Sequence, residues 1–463
     1  MFFGDLTRIF LNCYRNIVIS FHETAAHHVF LYSSVAFAQQ GFTVSGHKKT
    51  VIPFQLINNL IFVPLSINGT NLTFLLDSGV NETILFSLED KEVNFNKVEK
   101  ITFSGLGENK NIEGLRSDNN LVTVGPNYND AQHTVFIILD ENINFSSHVG
   151  IPVNGIIGYH FFKNHPVEID YIRKRITIHP VGSYVPKKTF REFEITVEGN
   201  KPYIAADIEL THDRKPTKLL LDLGNSDAVW LFPKLIPGFV YNRPFIDDYL
   251  GQGFNGDIFG KRSRIRGLYL GEFAFVKPLV AMPDEYSIQN LRLIPGRKGS
   301  VGSEVLRRFT IIFNYPENKI YLKKNRYYKD PFLFNKSGLD IQHDGMVWES
   351  DLVNILPTKV PGEPEGVSVY NASAGFRYHF VLKPQHSVAG CRQNSPCQSA
   401  GLRKNDKITH VNGRKASAYT LQQLNNLLKQ EDGKTVQFKI ERAGQILNVE
   451  IILTDPIPYQ DEN

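Results

Sequence analysis

A short element occurs twice in this chain, and it restricts the fold more than any other feature. Residues 74–82 read FLLDSGVNE and residues 219–226 read LLLDLGNS. In each, an apolar run meets an acid and turns at a glycine: Asp77, Ser78, Gly79, then Asp222, Leu223, Gly224. Such a run reads as a buried strand, and ionising an acid at its end costs free energy. Either copy alone is ordinary turn chemistry. The match continues downstream, where GIIGYHFFKNHPVEIDYIRKRITIH (155–179) aligns without a gap to GSVGSEVLRRFTIIFNYPENKIYLK (299–323). Gly158 falls on Gly302, Val167 on Ile311 and Tyr171 on Tyr315. Asp77 precedes Gly158 by 81 positions, and Asp222 precedes Gly302 by 80. Two elements in one order at one separation mark a duplicated unit of about 140 residues.

Each copy reads as strands. Leu60–Ile67 and Leu72–Leu76 flank Asn68-Gly69, a hairpin signal, and Pro202–Leu210 and Lys218–Leu221 do the same around a longer loop. After Gly158 and Gly302 comes a short helical stretch, then the hairpins VEIDYIRKRITI and TIIFNYPENKIYL. Abundant Phe and Tyr and recurring β-branched runs between Gly and Pro point to a mostly β protein.

An Asp-Ser-Gly after a buried strand, followed later by an apolar-apolar-Gly strand, resembles the lobe of aspartic proteases. Ile156-Ile157-Gly158 matches the second element well, and Ser300-Val301-Gly302 matches it more loosely. Two lobes in one chain, with the third domain below, look closest to bacterial retropepsin-like proteases carrying a PDZ domain. The resemblance implies a pseudo-dimer of two β lobes with Asp77 and Asp222 as the catalytic pair. Ser78, Gly79, Gly224, Gly158 and Gly302 would support the catalytic loops. It implies a peptide or protein substrate and neither a cofactor nor a metal.

Two carboxylates about 4 Å apart repel by roughly 4 kcal/mol at an effective dielectric near 20. One proton is then shared over a wide pH range. The charged member serves as base on a bound water while the protonated member polarises the scissile carbonyl. Active members of the family carry Thr or Ser between Asp and Gly in both lobes, and those hydroxyls brace the loops. Ser78 keeps the hydroxyl and Leu223 lacks it. Two readings follow: an active peptidase, or a catalytically degenerate relative that binds peptides or acts as a scaffold.

Residues 103–107 read FSGLG and 250–256 read LGQGFNG. Gly107 lies 30 positions after Asp77 and Gly253 lies 31 after Asp222, so the loops are equivalent. By resemblance Gly105, Gly107, Gly251 and Gly253 belong to flap-like segments. Gly251, Gly253 and Gly256 also spell G-x-G-x-x-G, but a dinucleotide site needs a helix next, and DIFGKRSRIRG reads as strand. The alternation Arg262, Arg264, Arg266 reads as a solvated strand face.

Beyond Lys329 the pattern changes. Ser395-Pro396-Cys397, Ala400-Gly401-Leu402, Asn405-Asp406 and Asn412-Gly413 resemble the motifs of a bacterial PDZ domain. Its peptide groove is expected between the strand after Lys383-Pro384 and a helix near Leu421–Leu428. Cys391 and Cys397 are either a disulfide or two unpaired small residues. The expected organisation is a leader over 1–38, lobe one over 50–183, lobe two over 184–330, a linker over 331–365 and the α+β PDZ domain over 366–455. VFLYSSVAFA (29–38) reads as the end of a signal peptide, which implies export to a periplasmic or extracellular space in a bacterium. No stretch has the length of a membrane span. A net charge of +4 gives no support to a nucleic-acid partner. His160, His165 and His179 read as surface or capping residues rather than a metal set.

Overall fold

The computed structural model describes residues 41–459 except 47, 104–111, 139–144, 183, 212, 254–255, 289–292 and 355–375. It is mostly β. The duplication read from the sequence is a duplication of topology. In the first copy, strand Thr70–Leu76 pairs antiparallel with Leu60–Ile67 on one side and parallel with Gly155–Ile157 on the other. Gly155–Ile157 then meets Thr83–Leu85, which runs parallel to Tyr128–Ile138. The second copy repeats this order: Lys201–Glu209, Arg214–Asp222, Arg297–Gly302, Val229–Leu231 and Leu279–Pro283, with both parallel pairings preserved. The apolar runs before the acids fill the centre of each sheet, and Phe74, Leu76, Leu219 and Leu221 are fully buried. Such two-faced burial explains why these strands read as continuous apolar runs.

The copies join through strands Val167–Asp170 and Phe309–Asn314, which pair antiparallel. Val167 lies opposite Phe313, Ile169 opposite Ile311, and Glu168 opposite Ile312. Under the sequence alignment Glu168 is the counterpart of Ile312, so exchanging the copies maps this pairing onto itself. The contact is therefore isologous, with a pseudo-two-fold axis between Glu168 and Ile312. The hairpins after each glycine build one shared sheet that also takes in Thr50–Pro53.

The third unit has its own core of Leu339, Ile341, Val388, Leu421, Leu424, Phe438 and Ile440. Its sheet runs Leu339–Asn354, Phe376–Cys391, Lys407–Val411, Thr435–Arg442, Gln445–Ile452. Helix Leu421–Leu427 starts at a capping box in which Thr420 and Gln423 satisfy each other's backbone N–H groups. The stretch 331–365, expected as a linker, carries the first strand of this sheet. Leu339 and Ile341 are buried there, and residues 355–365 lie outside the described residues. Cys391 and Cys397 are joined in a disulfide across the turn that starts helix Pro396–Ser399.

Candidate active site

Asp77 and Asp222 end equivalent strands and meet where the two copies face each other. The two Asp-x-Gly turns interlock. A side chain on Gly79 would begin 3.1 Å from an oxygen of Asp77 and 3.1 Å from an oxygen of Asp222. One on Gly224 would collide with the Asp77 carboxyl. Each acid thus rests against the glycine of the opposite turn, and that close approach is what the two glycines permit. Gly158 and Gly302 stand behind the turns. A Cβ on Gly158 would strike the Val80 carbonyl, and one on Gly302 the Asp227 carbonyl. Backbone bonds fasten these layers: Asp77 N–H to Ile157 O at 3.0 Å, and Gly302 N–H to Ala228 O at 2.9 Å.

Ser78 is fully buried, and its hydroxyl spans the two copies. It donates to Leu221 O at 2.6 Å and accepts from Leu223 N–H at 3.0 Å. Leu223 returns no such bond and places its side chain in the core. Ser303, a residue that sequence reading passed over, donates to Leu223 O at 2.9 Å and steadies the second turn from within its own copy. Asn225 and Ser226 do not take over the missing brace with their side chains. The Asn225 side chain caps the N–H of Asp227, and Ser226 offers only its carbonyl, to Asn59 Nδ2 at 2.9 Å.

The acids are electrostatically unequal. Burial, and next the charge of Asp222, push the Asp77 carboxyl up to about 7. Gly79 N–H pulls the other way, donating to Asp77 Oδ1 at 2.7 Å. Burial raises Asp222 as well, against opposing pulls from Arg297, Lys201 and the Ser300 hydroxyl. Neither cation stood out in the sequence, because each reaches the acids only through the folding of distant strands.

Of the flap-like residues, Gly251 and Gly253 lie on the hairpin Ile246–Gly253/Gly256–Arg264, with Gly251 at a break in register. A strand and not a helix follows them, so the dinucleotide geometry is not formed. Gly105 and Gly107 lie outside the described residues, in the connection of the equivalent hairpin Val98–Phe103/Ile112–Val124. The arginine alternation is a solvated face only at Arg266, which is exposed. Arg262 is buried, donating to Asp227 at 2.6 Å and Asp248 at 2.7 Å. Arg264 donates to Phe332 O at 3.1 Å, and Arg266 pairs with Glu209 at 3.1 Å. His165 is buried against His179 O, and His179 bonds Glu168 at 3.0 Å, so neither is a free surface residue.

The groove expected in the third unit also shifts. Strand Phe376–Cys391 has partners on both sides, while Leu339–Asn354 is the outer strand and packs against helix Leu421–Leu427. Helix Phe145–Val149 of the first copy lies against the same strand, and a side chain on Gly150 would begin 3.1 Å from Leu421 Cβ. Arg392, inside the disulfide loop, approaches Asp248 at 3.7 Å and so links this unit to the second hairpin.

Among the described residues, no helix is long and apolar enough to cross a membrane. Comparison with curated proteins finds no match. Residues 366–453 match the family model of the PDZ domain, and the chain carries a PDZ domain, a peptide-binding module, at that position.

Proposed function

We propose that the chain is an aspartic endopeptidase whose two lobes are the duplicated units and whose PDZ domain binds peptide segments. The observation that carries this reading is the interlocked pair: two acids on equivalent strands, each seated on the other's glycine. A shared proton makes such a pair both base and acid. One carboxylate takes a proton from a bound water as the water oxygen attacks the peptide carbonyl. The other acid gives its proton to the carbonyl oxygen. Export belongs to the same proposal, supported by the apolar run ending at Ala38 and by the Cys391–Cys397 disulfide. The second reading, a peptide-binding relative that no longer cuts, draws on Leu223, which leaves Ser78 as the one hydroxyl brace between the turns.

The test is cleavage of a mixed peptide library by residues 39–463 from acid to neutral pH, with Asp77→Asn and Asp222→Asn alongside. General acid–base catalysis is worth roughly 10²–10⁴-fold, so each variant is expected to lose at least that much. Peptide binding without cleavage by the unaltered chain at every pH would favour the second reading.

A further inference from the structure

The two acids stand in unlike surroundings, and the difference is built at one register position. In the second copy, Ser300 lies opposite Leu220 and Gly302 opposite Asp222 on parallel strands. Alternate residues share a face of a sheet, so Ser300 stands on the face that carries Asp222. Arg297 is 7% exposed and donates to Ser300 Oγ at 3.0 Å and to Gly299 O at 3.2 Å. In the first copy the aligned residues are Ile156 and Val153, both buried and apolar, with Ile156 opposite Leu75 on the face that carries Asp77. One acid therefore has a hydroxyl tied to a guanidinium beside it, and the other has hydrocarbon.

We infer that Arg297, acting through Ser300, makes Asp222 the ionised member of the pair and leaves Asp77 to hold the shared proton. Arg297 is a positioning residue: it orients the Ser300 hydroxyl and supplies positive charge on one side only. The other titratable groups facing the pair fit this division. Lys201 is half-buried, lies near both acids, and has no ion-pair partner among the described residues, so it favours charge somewhere in the pair without choosing between them. Tyr315, buried beside Asp77, adds no cation there. Tyr203 accompanies Arg297 on the Asp222 side. Burial and the repulsion of its neighbour hold Asp77 up to about 7, while Asp222 has Arg297 foremost among the influences that lower it.

This deepens the peptidase reading by giving each acid one role. The water oxygen bonds to the carbonyl carbon, its proton passing to Asp222 while the Asp77 proton passes to the carbonyl oxygen. When the C–N bond breaks, Asp222 returns its proton to the leaving amine and a hydroxyl of the intermediate returns one to Asp77.

The experiment is a carbon-13 carboxyl titration of the aspartate-labelled full chain, with Asp77→Asn and Asp222→Asn spectra assigning the two signals. Asp222 is expected to ionise first. Arg297→Met is expected to narrow or invert the order and to move the acid limb of the cleavage profile up by about one pH unit, because removing a cation raises the carboxyl. Arg297→Lys restores most of that shift, and Ser300→Ala gives a smaller shift of the same sign. Asp77 ionising first in the unaltered chain overturns the assignment. So does an order that neither Arg297→Met nor Ser300→Ala disturbs. The titration needs no turnover. The expected order without cleavage at any pH would sink the peptidase reading and leave the assignment standing.

Discussion

The two copies raise their acids from equivalent strands into equivalent turns, but they hold those turns differently. The first copy reaches across: Ser78 satisfies a backbone carbonyl and a backbone N–H of the second. The second copy reaches inward, burying Leu223 and bonding its carbonyl to Ser303. One turn is braced by a polar tie to its partner and the other by its own core. The comparison teaches that seating two turns against each other does not need two matching hydroxyls. It needs every buried backbone group at the junction to have a partner, and one serine serves two of them.

The sharpest way to break the symmetry is at the glycines. Gly224→Ala drives a methyl into the Asp77 carboxyl, whereas Gly79→Ala meets both acids at 3.1 Å, a tight contact that a shift of a few tenths of an ångström relieves. Cleavage assays should show a loss above about 10²-fold for the first and about tenfold for the second, since small displacements of reacting groups are costly. Equal losses would mean that the turns are not seated as described. Ser78→Ala comes next. It strands a carbonyl and an N–H in the core, and urea unfolding should show a loss of about 1–3 kcal/mol. Leu223→Thr tests the opposite side. It should cost stability through lost burial, with no gain in cleavage rate. Faster cleavage by this variant would show that the one-sided brace limits the proposed activity.

The pair also gives stability a pH dependence. Asp77 moves from an ordinary 3.8 to about 7 in the folded chain. Below the lower value both folded and unfolded chains hold this proton. Between the two values only the folded chain does, so this acid makes stability fall as pH rises through that window and level off above it. Thermal melts of Asp77→Asn should lack that part of the slope and lie above the unaltered chain near neutral pH.

Much of this was legible from residues. The acids, their glycines and the repeat spacing are local signals: an apolar run, a turn residue, a fixed offset. What escaped was non-local. Arg262 looked solvated because Asp227 and Asp248, which bury its charge, come from two other segments. Strand Leu339–Asn354 was passed over because its partner Phe376–Cys391 follows a Pro- and Gly-rich stretch that reads as a break between domains. Arg297 and Lys201 carried no motif at all. Their importance arises when parallel pairing and a hairpin bring them beside an acid.

The interlocked turns bear on inheritance. Because each acid rests on a glycine encoded in the other half of the gene, neither half holds a complete seat for its own carboxylate. A half-chain expressed alone would present an acid with nothing to rest against. The two halves, free to drift apart elsewhere, are bound at this junction to change together or not at all.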